Sequence, residues 1–437
     1  MENRSAVRRV ALGTVLIGVA AFVLIATTQV PWHPVPGGTP DPVAASSVFS
    51  RAEIDRAEHV ALWGRVWSWS SLAVSLAVAC WLGFGRTGRA LVARLRGWWW
   101  VRVLVVVTVL TLVGELVTLP FGIALRRLRL DEGLAAGSWG AWTLDVVKGD
   151  LVAIVTTALA VIALVACIRR LPRLWPAVAG LAAAGLVVLG SFVYPVVVEP
   201  VFNHFTPLPD GPLRTQILDL AQTEDVKVDD VLVADASRRT TTLNAYVSGF
   251  GQTRRVVLYD TLVDSSPTDE TLSVVAHELA HAKYDDVMTG TALGAAGALL
   301  GVGLLGLLLP VPRRPRGGDT ADEEGNKADE AGAGGEAGDE SYLGGVGVVP
   351  RVLALVAIGT LLAAPVQNGI SRQLETRADQ TALEVTKAPQ AFVDLQRRLA
   401  LRSHADPTPP EWSQWWFGSH PTVLQRIGLA NQFEAKG

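Results

Sequence analysis

The sequence predicts a mainly α, seven-helix integral membrane protein with a small polar α+β domain that two separate stretches of the chain build together. Half of the 437 residues are hydrophobic and only 18% are charged. The mean hydropathy is +0.33, which is too apolar for an ordinary soluble domain of this length. Seven apolar segments are long enough to cross a bilayer. The two polar stretches that build the small domain follow the fifth and the seventh of these segments.

The seven segments are spread along the chain from its amino-terminal end to Gln367. The first follows Arg4, Arg8 and Arg9 as a signal peptide would. Its apolar run is too long for that role and no clear small-residue cleavage site follows, so we expect a membrane helix. The approximate spans are Val10–Thr28, Val66–Phe84, Val101–Leu119, Leu151–Ile168, Pro176–Val197, Met288–Pro310 and Val352–Gln367.

These spans divide the chain into membrane, polar and linker parts. The linker is acidic and rich in glycine, it lacks the apolar residues of a core, and we expect it to be disordered. The predicted parts are 1–198 with membrane helices one to five, 199–287 with the first part of the polar domain, 288–310 with helix six, 311–349 with the linker, 350–369 with helix seven, and 370–437 with the second part of the polar domain.

Several features narrow the function class. A net charge of −3 gives no indication of nucleic-acid binding. Cys80 and Cys167 both lie in apolar segments, which argues against a disulfide framework and against a cysteine-ligated metal.

Glu115 is an acid at membrane depth, where it should face either a wet chamber or a polar partner on another helix. In the sixth segment Gly290, Gly294, Gly297 and Gly301 form a stripe suited to close helix packing.

The polar domain contains the motif H-E-x-x-H, at His277, Glu278 and His281. The surrounding residues predict a helix that starts near Pro267 with Ser266 as N-cap. On that helix the two histidines lie one turn apart on the same face, as two ligands of one zinc ion must. Glu278 projects beside that face, where a carboxylate can take a proton from a water molecule that the metal activates.

A catalytic zinc ion usually takes three protein ligands, so a third must come from elsewhere in the chain. Glu375 and Asp379 lie one helical turn apart directly after the seventh segment. Glu375 can complete the site, and Asp379 can orient a ligating imidazole. His420, in Gly418-Ser-His420-Pro421, can steady the oxyanion of a tetrahedral intermediate.

The rest of the first polar stretch predicts a short helix at Leu213–Thr223 and strands at Val228–Ala234 and Arg254–Tyr259. Asn244-Ala-Tyr246 lies between the strands. It is typical of an ordinary hairpin, and it is also compatible with a sheet edge to which a peptide substrate adds a strand.

The chain resembles the type I CAAX prenyl proteases, which are zinc metalloendopeptidases of membranes. The resemblance rests on an ordered set of motifs: Glu199-Pro200-Val-Phe202-Asn203, Asn244-Ala-Tyr, Val257-Leu-Tyr-Asp260, His277-Glu-Leu-Ala-His281, Ser371-Arg-Gln-Leu-Glu375-Thr-Arg-Ala-Asp379 and Ser419-His420-Pro421. With the seven spans it covers nearly the whole chain. The chain departs from the family pattern in two places. It has Ala282-Lys283-Tyr284 where eukaryotic members tend to have an aromatic residue, and it contains the acidic linker.

The resemblance implies a gluzincin-like zinc site and seven helices that enclose a water-filled chamber. It implies one Zn²⁺ per chain held by His277, His281 and Glu375, with Glu278 as general base. It further implies that Asp379 supports a ligand, that His420 assists the transition state, and that Asn244 and Ala245 lie near the bound peptide. The expected partners are the lipid bilayer and a peptide or membrane-protein substrate.

Three other functions are compatible with parts of the sequence. A membrane-protein quality-control protease would use the same chemistry, although the shorter heat-shock membrane zinc proteases have fewer spans. A transporter or channel would suit seven spans and Glu115, but the sequence shows no inverted repeat. A zinc-binding receptor without catalysis would not need Glu278.

The basic residues predict the orientation, because short loops rich in Arg and Lys mark the cytoplasmic side. They are more numerous on the side of the amino terminus, which places the zinc domain on the outer face. In the eukaryotic relatives that domain faces the cytosol. The richer side carries Arg4, Arg8, Arg9, Arg86, Arg89, Arg94, Arg96, Arg102, Arg169, Arg170, Arg173, Arg313, Arg314, Arg316, Lys327 and Arg351.

Overall fold

The structure, a computed structural model, describes residues 2–249, 251, 254–309 and 345–436. Most of them are helical. In chain order the helices are α1 (Glu2–Gln29), α2 (Ala45–Val48), α3 (Arg51–Phe84), α4 (Arg86–Arg94), α5 (Trp99–Asp131), α6 (Trp139–Arg170), α7 (Trp175–Val193), α8 (Glu199–Phe202), α9 (Pro212–Thr223), α10 (Asp260–Ser265), α11 (Thr268–Lys283), α12 (Asp286–Leu308), α13 (Val349–Thr386), α14 (Pro389–Ser403), α15 (Glu411–Phe417) and α16 (Val423–Glu434).

Seven helices of the described ranges are long and apolar enough to cross a membrane, namely α1, α3, α5, α6, α7, α12 and α13. Helices suit a bilayer because their backbone groups are satisfied within the segment. The fifth span continues from α7 through a π-helical turn, Tyr194–Val198, into α8. The predicted fold class is confirmed.

The membrane helices follow one another around a ring. Helix α1 packs on α12, and α12 on α7. The ring continues through α6, α5 and α3 to α13, which returns to contact α12. These contacts close a ring in which each membrane helix packs against the next one.

Glycines allow the closest contacts in this ring, but they are not those of the predicted stripe. A Cβ atom on Gly303 would lie 2.8 Å from the Val15 backbone nitrogen of α1, and one on Gly306 would lie 2.8 Å from Cβ of Ala11. At Gly290, Gly297 and Gly301 a Cβ atom would meet nothing within 4 Å. Of the predicted stripe only Gly294 packs closely, since a Cβ atom there would lie 3.3 Å from Cγ1 of Val187 on α7. The prediction is wrong for the other three glycines, because the spacing of small residues does not show which face meets a neighbour.

The seventh span does not stop at the membrane. Helix α13 runs unbroken past Pro365 to Thr386 and so carries Glu375 and Asp379 on its polar extension. It begins earlier than predicted. Residues 311–344 of the predicted linker lie outside the described residues, but Val346–Val348 form a 3-10 turn and are buried in an apolar cluster with residues of α5 and α6. Disorder is therefore the wrong prediction for residues 345–349.

The polar domain contains a four-stranded sheet with the order β1-β2-β4-β3. Strands β2 and β4 are parallel, and the other two pairs are antiparallel. The predicted strands are present with slightly later starts. The strands are β1 (Phe205–Pro207), β2 (Asp230–Ala234), β3 (Ala245–Ser248) and β4 (Arg255–Tyr259).

Helix α11 is the centre of the polar domain. It packs against the sheet at β3, against α9, and against α13 and α14 of the second polar stretch. Val275 and Leu279 are fully buried in the core that it shares with β2 and β4. Pro267, and not Ser266, is the N-cap residue, and no side chain caps this end.

Glu115 lies half-buried on α5. Within the described ranges its carboxylate has no hydrogen-bond or ion-pair partner on another helix. A place beside a wet chamber and a polar partner on another helix both stay predictions for this acid.

Candidate active site

Two histidines on α11 form the base of the site. His277 and His281 are one helical turn apart, and their ring centroids are separated by 4.8 Å. Their Nε2 atoms face each other at 3.2 Å. His277 is buried and His281 is partly buried, so both rings are held by their surroundings before any ligand binds.

Glu375 approaches the same point from α13. Its Oε2 lies 3.2 Å from Nε2 of His277, and its Oε1 lies 3.5 Å from Nε2 of His281. Although Oε2 is buried, it accepts no hydrogen bond of acceptable geometry. Ligand atoms bound tetrahedrally at about 2.0–2.1 Å from one ion are about 3.3 Å apart, so these three side chains fit a metal ion.

The outward-facing nitrogen of His277 is also held. Its Nδ1 lies 2.9 Å from Oδ1 of Asp379, which is 1% exposed. Arg426 of α16 binds both oxygens of that carboxylate and compensates its charge. Asp379 therefore lies where it can orient the imidazole, and that role stays a prediction. Arg426 is not among the predicted residues.

A second carboxylate holds His281 in the same way. Nδ1 of His281 lies 2.8 Å from Oδ2 of Asp286, the first residue of α12. Arg377 of α13 pairs with the other oxygen of Asp286. Sequence analysis missed both residues, because Asp286 follows His281 by five positions across a break between helices and helical spacing does not link them.

Glu278 lies beside the metal ligands. It is half-buried and lines a cavity of about 300 Å³ together with His281 and Glu375. Burial raises the pKa of Glu278, and the neighbouring imidazoles partly offset this effect. A carboxylate with a raised pKa next to a cavity has the properties of a general base.

His420 faces the site from the loop between α15 and α16. Its Nε2 lies 3.4 Å from Oε2 of Glu375, and 58% of its side chain remains exposed. Nδ1 is 2.8 Å from the hydroxyl of Ser419. Desolvation lowers the pKa of His420, and the negative charge of Glu375 offsets this effect only in part. The lowered pKa favours a neutral ring at neutral pH.

Strand β3 forms one edge of the sheet and runs along the cleft. It pairs with β4 on one side, and Val247 lines the cavity with Glu278. Asn244 is exposed just before this strand, but the Ala245 side chain is only 2% exposed and packs in the core. Ala245 could therefore contact a peptide only through its backbone.

Comparisons with known proteins agree with this geometry. The family model for peptidase family M48 matches residues 207–433, which contain the two histidines, Glu278, Glu375 and His420. The model for the CAAX prenyl protease N-terminal region, with five membrane helices, matches residues 50–204.

Individual relatives cover large parts of the chain. An uncharacterized metalloprotease of Bacillus subtilis, YhfN, is 29% identical over 75% of this chain and 73% of its own length. A CAAX prenyl protease 1 homolog of Oryza sativa subsp. japonica is 32% identical over 56% of this chain and 53% of its own. The crystal structure of S. mikatae Ste24p has the same fold, with a TM-score of 0.74, 18% identity and 99% of each chain covered.

Proposed function

Because this chain belongs to peptidase family M48 and is a membrane metalloprotease, we propose that His277, His281 and Glu375 hold one zinc ion for peptide-bond hydrolysis. The observation that carries the proposal is the convergence of three ligand atoms at 3.2 to 3.5 Å, one of them a buried carboxylate oxygen without a hydrogen bond. Histidine nitrogens and a carboxylate are ligands of catalytic zinc sites.

Glu278 acts as the general base and later as the acid. When bound, zinc supplies Lewis-acid chemistry by polarising the scissile carbonyl and lowering the pKa of water. Glu278 accepts the proton of the attacking water and passes it to the leaving amine. The raised pKa of this carboxylate suits both transfers, because it is a stronger base than an exposed glutamate and its acid form persists at higher pH.

His420 stabilises the oxyanion. When the Ser419 hydroxyl donates to Nδ1, the proton of the neutral ring is on Nε2, which points toward the site. A donor at that position can bind the oxygen on which negative charge develops in the transition state.

The peptide binds as an added strand on β3, next to Glu278. Backbone groups on the open edge of a sheet give affinity for extended peptides without restricting their sequence. Because relatives carry the name CAAX prenyl protease, the substrates are the carboxyl-terminal segments of membrane-attached proteins. Quality control of membrane proteins is the competing function.

The catalytic domain lies on the outer face of the cell membrane. The support is the excess of basic residues at the opposite ends of the spans, which marks that side as cytoplasmic.

Two substitutions test the catalytic proposal. Glu278→Gln should keep zinc bound and abolish peptidase activity, whereas Glu375→Ala should lose both, because only the second removes a ligand. Asp269→Asn, an exposed acid on the same helix, is the matched control and should keep both properties. Metal analysis and hydrolysis of a fluorogenic peptide measure them. Full zinc content in the Glu375→Ala protein would mean that the third ligand is wrongly assigned.

The substrate class needs a separate experiment. Membranes that contain the active enzyme are compared with membranes that contain the Glu278→Gln form, and new protein termini are identified by mass spectrometry. Termini a few residues from the carboxyl ends of lipid-anchored proteins would support carboxyl-terminal processing. Termini scattered through misfolded membrane proteins would favour quality control.

A further inference from the structure

The second metal histidine is held by a residue that begins a membrane helix. Oδ2 of Asp286 lies 2.8 Å from Nδ1 of His281, and the Asp286 side chain is 7% exposed. The other oxygen, Oδ1, pairs with Arg377. Both oxygens of this buried carboxylate are therefore engaged, one by a metal ligand and one by an arginine.

The local backbone explains how Asp286 returns to His281. Helix α11 ends at Lys283, and Asp285 adopts a left-handed conformation with φ of 51°. This turn starts α12 at once, so that its first side chain lies beside the last turn of α11. Arg377 also covers the turn, since its guanidinium carbon lies 4.1 Å from the centroid of the Tyr284 ring.

The arrangement repeats the one at His277. There Asp379 accepts from the imidazole and Arg426 compensates the carboxylate. Each metal histidine thus has its own carboxylate and each carboxylate its own arginine. A fixed acceptor at Nδ1 keeps the proton on that nitrogen and leaves the Nε2 lone pair for the ion.

We propose that Asp286, held by Arg377, is a positioning residue that fixes the ring orientation and tautomer of His281 and so sets the affinity of the metal site. The proposal rests on the proposed function, because it concerns the same ion. It makes α12 and α13, two membrane helices, part of the support of the site.

The test measures zinc affinity of the purified full-length protein in detergent by competition with a chromogenic chelator. Asp286→Asn should weaken zinc binding by about 10-fold and Asp286→Ala by up to about 100-fold, the range known for such supporting residues. Asp285→Asn is the matched control: Asp285 is 60% exposed and pairs with Arg254, and asparagine tolerates a left-handed backbone. Its zinc affinity should equal that of the wild type.

Further readouts separate positioning from folding. The visible absorption of the cobalt-substituted protein should shift in Asp286→Asn and not in Asp285→Asn, while thermal unfolding of the metal-free proteins should be similar. If the Asp286 variants do not fold, Arg377→Gln leaves the carboxylate in place and should weaken zinc binding less, in the same direction.

The outcomes distinguish this inference from the proposed function. Wild-type protein that binds no zinc would overturn both. Wild-type protein that binds zinc, together with Asp286→Asn and Arg377→Gln proteins of unchanged affinity and unchanged cobalt spectrum, would overturn only the role of Asp286.

Discussion

At the scale of single residues, the polar domain contains one buried acid that is paired with an arginine and another that has no hydrogen-bond partner. Glu270 accepts two hydrogen bonds from Arg398, at 2.6 and 2.9 Å. Glu224, at the end of α9, is fully buried, and neither of its carboxylate oxygens has a hydrogen-bond partner. Burial raises the pKa of Glu224 to about 7, although Lys283 and His277 partly offset this effect.

Glu224 should therefore make stability depend on pH. Its pKa rises from 4.5 in the unfolded chain to about 7 in the folded one, so the folded state binds the proton more tightly. The stability that protonated Glu224 contributes to the folded state is fully present below pH 4.5 and is lost as the pH rises through about 7. Glu224→Gln should raise the free energy of unfolding at about pH 8 by up to roughly 3 kcal/mol and change little at about pH 4.5.

Thermal unfolding of the detergent-solubilised protein at several pH values measures this effect. The control is Asp219→Asn, an exposed acid on the same helix, which should leave the pH profile unchanged. Parallel pH profiles for wild type and Glu224→Gln would show that Glu224 is solvated or paired in the folded protein.

At the scale of elements, glycines set the distance between α1 and α12. A Cβ atom on Gly18 would lie 2.7 Å from the Leu300 backbone nitrogen, and one on Gly303 would lie 2.8 Å from that of Val15. Backbone atoms cannot move aside as the end of a flexible side chain can. Gly301 is on the same helix as Gly303, but a Cβ atom there would meet nothing within 4 Å.

Alanine should destabilise the protein at Gly303 but not at Gly301. Gly303→Ala should lower the free energy of unfolding by about 1–3 kcal/mol because it forces the helices apart. Gly301→Ala should be neutral or stabilising by up to about 1 kcal/mol, since alanine is the better helix former. The apparent melting temperatures of the two purified variants, each compared with that of the wild type, measure these changes in stability. Equal stability of both would mean that α1 and α12 are not packed through Gly303.

At the scale of the whole molecule, many arginines and the catalytic domain lie at opposite ends of the membrane spans. The start of α1, the connection between α3 and α5, the connection between α6 and α7 and the start of α13 lie at one end of the spans and carry many arginines. The catalytic domain joins the other end, where α7 and α13 lead into it and α12 leaves it. A membrane potential and an asymmetric bilayer act on this distribution and favour the basic end inside.

Accessibility of single cysteines tests the orientation. With Cys80 and Cys167 replaced by alanine, Ala435→Cys in the carboxyl-terminal tail should react with a membrane-impermeant thiol reagent in intact cells. Thr87→Cys, exposed at the basic end, should react only after lysis. The reverse labelling pattern would place the catalytic domain in the cytosol.

The sequence by itself determined whatever depends on near neighbours along the chain. Segment length and apolarity are sufficient for the membrane helices, and the four-residue spacing of His277 and His281 places both on one helix face. Glu375 is predicted as the third ligand because it lies one helical turn from Asp379 directly after the seventh span, and the resemblance to the type I CAAX prenyl proteases implies the same ligand.

Only the tertiary structure decided which distant side chains meet. Arg377 and Asp286 are 91 residues apart, and Arg426 and His277 are 149 apart. The contacting face of α12, the burial of Val346–Val349 and the core position of Ala245 are likewise set by helices that approach from elsewhere. Helical periodicity fixes which residues share a face, but packing between elements, which has no local signal, selects the face that is used.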